Sequence, residues 1–265
     1  MFFRLSSLEL ALILFAVVLG ATAAGLLAGR HFRHHSDTLK DPFSALQAAL
    51  LGLVGLILAF GLALAVGRYE SRRAAVVEEA NAIGTTYLRA QTLMEPVRSE
   101  SLDLLVRYTD VSIRVADAVP GSAEFERALA DGDELLRELW GLGGQALDRA
   151  PTDSAPRLYI ETLNETIDMQ TVRAAGLGNR VPGPVLAVEV VGAAIALALL
   201  AFYLALVGRG VLTVVLAAAL VTMLLLVTFD LDRPTRGLIQ IPDAPLTNLR
   251  ASMELPPAAE GPTDP

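Results

Sequence analysis

Chemistry begins with side chains that ionise, attack or ligate, and this chain arranges few of them to do so. Its 265 residues include three histidines and no cysteine. The histidines fall in one run, His31-Phe32-Arg33-His34-His35. Their i, i+3 and i+4 spacing could turn two imidazoles toward a metal ion on one helical face. Arg30 and Arg33 crowd the run and no carboxylate precedes it, so the expectation is a polar loop and no metal. The lack of cysteine excludes disulfide scaffolds, thiolate metal sites and cysteine nucleophiles. Glu78 and Glu79 are adjacent, and adjacent residues on a helix point in different directions, which rules out a working carboxylate pair. Gly141-Leu142-Gly143-Gly144 follows no strand and has no lysine for a phosphate. Nucleotide-binding loops, serine elbows and zinc-binding helices of the H-E-x-x-H type have no counterpart. The expectation is no catalytic residue, no enzyme activity and no cofactor.

The elements that would position any site are dictated by the apolar surplus. Hydrophobic residues make up 53% of the chain and charged ones 19%, against about 25% charged in a typical soluble domain. Such a chain is not intrinsically disordered, and a net charge of -8 argues against a nucleic-acid partner. A helix needs about 20 apolar residues to cross a hydrocarbon core. Four stretches suffice: Leu8 to Gly29, Phe43 to Val66, Val185 to Val207 and Val211 to Phe229. Gly208-Arg209-Gly210 makes the last two a tight hairpin. Ala21-Thr22-Ala23 could serve as a signal-peptide cleavage site. The apolar run nevertheless continues to Ala28 and meets Arg30 and Arg33, as a retained span would.

Two features inside the spans stand out. Gly25-x-x-x-Gly29, and Gly52, Gly55 and Gly61 in span two, permit close helix contact, within one chain or between copies. Glu189 could face a water-filled path. Its place near the start of span three favours pairing with a juxtamembrane arginine instead.

Flanking basic residues set orientation. One side has Arg4, Arg68, Arg72, Arg73, Arg173, Arg180, Arg233 and Arg236, against Arg30, Arg33, Lys40 and Arg209 on the other. That balance puts both termini and the segment between spans two and three in the cytoplasm. Within it, Arg68 to about Met94 continues the second span without a break, and Pro96 to Val119 is the next helix. Pro120-Gly121-Ser122 is a turn whose serine can cap a third helix, which Gly141 to Gly144 should weaken or kink. Leu158 to Ala175 is the last. Residues 70 to 180 hold 19 acids against 12 arginines. The plain reading is a solvated surface, and the functional one a vestibule for cations or a docking face for a basic partner.

The expected fold class is thus all-α: four transmembrane helices with a helical cytoplasmic segment between spans two and three. The divisions are 1–67 for spans one and two, 68–184 for the cytoplasmic segment, 185–230 for the hairpin and 231–265 for a tail, disordered from about 254. The expected location is the cell (inner) membrane, multi-pass, with the lipid bilayer as first partner.

At the end of span two, Arg68-Tyr69-Glu70-Ser71-Arg72-Arg73 precedes Val77-Glu78-Glu79-Ala80-Asn81-Ala82-Ile83-Gly84-Thr85-Thr86-Tyr87-Leu88-Arg89-Ala90. Together they resemble a bacterial membrane family described as having a bestrophin-like domain. Asp230-Leu231-Asp232-Arg233-Pro234-Thr235-Arg236-Gly237 resembles that family's usual ending. More distantly, the exit motif is similar to that of bacterial bestrophins, one aromatic short. Bestrophins are pentameric four-span channels whose second helices line an apolar neck, so the resemblance implies a homo-oligomer that passes inorganic ions. Aligned on Arg68, the neck phenylalanine falls on Phe60, and Leu56 lies one turn earlier. The polar residues that usually follow it are here Gly61, Leu62 and Ala63. The acidic run that binds calcium in animal bestrophins is absent, so calcium gating is not implied. From the residues themselves, Leu53, Leu56, Phe60 and Leu64 share one broad face of an uncharged helix. That face could form a constriction that gates by dewetting, or could equally meet lipid or core.

Overall fold

The computed structural model describes residues 6–208, 210–233, 235 and 237–259. Among them the chain is all helical, with no strand. Arg4, Arg209 and Arg236, three of the residues used for orientation, lie outside the described ones. So do Pro234 of the ending motif, the last six residues of the tail and the Lys40 side chain. Four helices among the described residues are long and apolar enough to cross a membrane.

The chain divides into two units. The first comprises Met1–Tyr69 and Arg180–Gln240. Its helices are α1 (Ser7–His31), the membrane part of α2 (Ser36–Ala90), α6 (Gly183–Val207) and α7 (Val211–Leu231). A capping box opens α1: Glu9 N–H donates to Ser6 Oγ (3.1 Å) and Ser6 N–H to Glu9 Oε2 (2.7 Å). The acid at the start of span one is thereby a cap, not a charge in the lipid. A methyl added at Gly25 would fall on the Ala198 backbone, and one at Gly29 on Phe202 and Ala205. The glycines therefore let α1 and α6 approach within the chain, and the matched four-residue steps make the two helices parallel. Leu10, Leu14 and Val18 complete the seam with Leu186, Ala193 and Leu197. The hairpin turn uses Gly208 and Gly210 at φ 74° and 92°, left-handed backbone that glycine adopts without a Cβ penalty.

The second unit comprises Glu70–Asn179 and Ile241–Pro265. It holds the rest of α2 with α3 (Val97–Asp117), α4 (Ala123–Arg149), α5 (Ser154–Gly178) and α8 (Ala244–Ser252). α2 is one helix of 55 residues, roughly 80 Å at the standard rise and far longer than a bilayer is thick. Ser122 caps α4 as expected, accepting from Phe125 N–H at 3.1 Å. The expected weakening at Gly141 to Gly144 does not occur, and α4 runs through it. A methyl at Gly143 would lie 2.9 Å from Ile160 Cγ1, so close packing against α5 stabilises the helix where propensity alone would not. The core joins Ile83, Leu93, Leu105, Leu139 and Leu163. Part of the stretch expected as a tail is α8, because Leu246 and Met253 are apolar and buried in this same core. Tyr87 Oη donates to the Met253 carbonyl at 3.2 Å, and Arg250 pairs with Asp110 at 2.8 Å.

Candidate functional site

Two sets of residues carry the functional reading, the apolar face of α2 and the polar motifs that follow the second and fourth spans. On α2, Leu53, Leu56, Phe60 and Leu64 are 53%, 53%, 62% and 47% exposed. On the opposite side Val54, Leu58 and Ala65 are buried in the first unit. Helical periodicity thus splits the span into a packed stripe and an open one. Gly52 and Gly55 meet nothing within 4 Å. Gly61 belongs to the packed side, and a methyl there would overlap the Glu189 carboxylate of α6.

Glu189 corrects an expectation. It is wholly buried, and neither carboxylate oxygen has a hydrogen-bond partner among the described residues. The expected arginine pairing is absent among the described residues. Glu189 lies six residues into α6, about 9 Å along its axis. Its carboxylate is turned onto Gly61 of α2.

The motif after span two is a set of tethers. Arg68 and Tyr69 are half-buried. Glu70 and Arg73 form an exposed pair at 3.6 Å. Arg72 is buried and donates to the Gly176 and Asn179 carbonyls at 3.1 and 2.5 Å, closing the C-terminus of α5. Cationic donors there complement the helix dipole as well as its unpaired carbonyls. Asn81 is exposed. At Gly84 an added methyl would come 3.1 Å from Leu249 of α8. Arg89 donates to the Leu158 carbonyl at 2.7 Å and lies 3.7 Å from Glu161.

Glu79 is the centre of this set and is 1% exposed. One oxygen accepts from Ser112 Oγ at 3.1 Å and Tyr108 Oη at 3.4 Å, the other from Arg173. Arg173 also donates to the Ser112 carbonyl at 2.9 Å. Burial pushes the Glu79 carboxyl up from its ordinary range, against the pull of Arg173 and of the Ser112 and Tyr108 hydrogen bonds. Burial first, and the neighbouring carboxylate second, push the Tyr108 hydroxyl well up. Sequence reading placed Glu79 in the family motif and rejected it only as a carboxylate pair with Glu78, without foreseeing its buried network. Its signal was its place on the apolar stripe Val76, Ala80 and Ile83, where a charge must be paired.

After span four, the Asp230 carboxylate accepts from Leu238 and Ile239 N–H at 2.9 and 2.8 Å. Asp232 accepts from Val181 N–H at 2.9 Å, and Arg233 is buried beside it in sequence. A methyl at Gly237 would sit 2.8 Å from the Asp230 carbonyl oxygen, so this turn admits only glycine without rearrangement. Among the described residues no three His, Asp or Glu side chains are grouped to hold a metal, and the His34 and His35 side chains lie outside them.

These observations define a multi-pass helical membrane protein with a long helix running out of its second span. A family model described as the Bestrophin-like domain matches residues 11–246. The chain belongs to the Bestrophin-like family. No curated protein matches it. Crystal structures of single-site variants of a bacterial bestrophin homologue from Klebsiella pneumoniae share its fold. One has a TM-score of 0.68 at 14% identity, covering 89% of this chain and 97% of that one. Another has a TM-score of 0.68 at 15% identity, covering 95% and 96%. A structure described only as a membrane protein has a TM-score of 0.67 at 15% identity, covering 91% and 97%.

Proposed function

We propose that the protein is an oligomeric ion channel of the cell (inner) membrane whose neck is formed by α2. The observation that carries this reading is the open stripe of Leu53, Leu56, Phe60 and Leu64 opposite a packed one. A ring of such stripes makes an apolar constriction that passes ions only when wetted. The pentameric state comes from the bestrophin resemblance. Both termini and the α3–α5 helices are taken as cytoplasmic, on the arginine balance. The resemblance favours anions, while the acidic helical segment favours cations. Single-channel recording of the purified protein in planar bilayers tests the reading, with Leu56→Ala and Phe60→Ala expected to raise open probability or conductance. Absence of current, or unchanged currents in both variants, overturns it. So does a monomeric mass by native mass spectrometry.

A second reading is a non-conducting scaffold or sensor whose cytoplasmic helices bind a protein partner. It is favoured by Leu88, Trp140, Leu158 and Val172, large apolar residues exposed on the second unit. Protease access to residues 96 to 180 in inverted vesicles tests the topology that both readings share.

A further inference from the structure

The open face of α2 and the side that meets Glu189 are different faces of one helix, and the α6–α2 contact at Gly61 is made by an ionisable group. A carboxylate charge inside the hydrocarbon region, without a hydrogen bond or counter-ion, is costly enough that such residues mark functional paths. A metal cation would need several oxygen ligands, and one carboxylate with no hydrogen-bond partner among the described residues offers two oxygens. The elements around it add no charge within the bilayer: α1 has none from Leu10 to Gly29, α2 none from Phe43 to Val66, and α7 none from Val211 to Phe229. Charged groups on these elements sit at or beyond the span ends, on one side Glu9, Arg68, Arg180, Asp230, Asp232 and Arg233, on the other Arg30, His31 and Arg33. Tyr203, also on α6, is about 21 Å further along its axis. The occupant that suits this site is a proton.

We infer that Glu189 is an intramembrane proton-binding site seated against Gly61, and that its protonation state sets how closely α2 packs on α6. Protonated, the neutral carboxyl fits the small space that Gly61 leaves. Loss of that proton puts a charge there, which draws in water and moves α2 away at the position next to Phe60. The two packings are then alternative states whose populations the proton shifts. The coupling to permeation rests on the neck reading, whereas the proton site does not.

The full chain reconstituted in liposomes tests both parts. Infrared spectroscopy across a pH titration should show a protonated-carboxyl C=O band that is lost in Glu189→Gln. Ion flux should rise several-fold as the pH is raised through the same titration, and the variant should lose that dependence. Absence of such a band at any pH, or its persistence in Glu189→Gln, overturns the site. A band lost in the variant with the flux profile unchanged overturns the coupling. If no form conducts, the neck reading fails while the infrared result still decides the proton site. Should Glu189→Gln not fold, Gly61→Ala keeps the carboxyl but displaces it, and should shift both the band and the flux midpoint. An unshifted band and midpoint overturn the seat on Gly61.

Discussion

Each of the two units buries one glutamate almost completely, and the two surroundings could hardly differ more. Glu79 in the helical bundle is met by Arg173, Ser112 and Tyr108. Glu189 in the membrane unit is met by the bare backbone of Gly61. Equal burial therefore says nothing about role. A buried carboxylate with its donors in place ties three helices together, because removing any partner strands a charge. One without donors is instead free to exchange a proton.

The sharpest way to break this contrast is to remove the partner of Glu79. Arg173→Ala should cost about 3–5 kcal/mol, the usual penalty for leaving a buried charge uncompensated. The thermal unfolding midpoint in detergent would measure it, and a shift near zero would mean that the network is dispensable. Next comes the seam of the membrane unit, which relies on shape where the bundle relies on polar pairing. Gly25→Ala, whose methyl meets backbone, should cost about 1–3 kcal/mol, as overpacked sites do. Gly20→Ala, with nothing within 4 Å, should be neutral or slightly stabilising in the same assay.

Glu189→Gln should change stability by less than about 1 kcal/mol near neutral pH, since it exchanges one unbonded polar group for another of equal shape. The same change at Glu79 should cost several times more, and equal effects would erase the distinction.

The smallest effect is expected at Tyr159, whose buried hydroxyl has the buried Ser101 hydroxyl as its neighbour and no well-formed hydrogen bond among the described residues. Tyr159→Phe should change stability by under about 1 kcal/mol at neutral pH. Burial pushes this hydroxyl up to about 12. A group whose folded value is raised contributes stability that is fully present below its unfolded value, about 10 for tyrosine, and lost as the pH climbs toward 12. Alkaline denaturation should therefore be shallower in Tyr159→Phe than in the parent.

Much of the architecture was legible in the residues. Uncharged runs of about 20 residues fold as helices in lipid because no other open segment satisfies its own backbone there. Ser122 caps α4, and Gly208 and Gly210 turn the hairpin, because these local geometries depend on residues only a few positions apart. The break expected at Gly141 to Gly144 failed for the complementary reason. Intrinsic propensity disfavours helix there, yet Gly143 gains a close approach to Ile160 that no local pattern reveals.

By itself, then, the sequence determined the four spans, the long helix leaving the second, the hairpin and the family motifs. Each depends on hydropathy or on short-range backbone geometry. Tertiary structure alone decided what the charges do. Arg173 lies 94 residues from Glu79, and Gly61 lies on a different helix from Glu189. A buried charge is governed by the nearest donors in space, and helix packing brings those donors from distant parts of the chain or leaves them out.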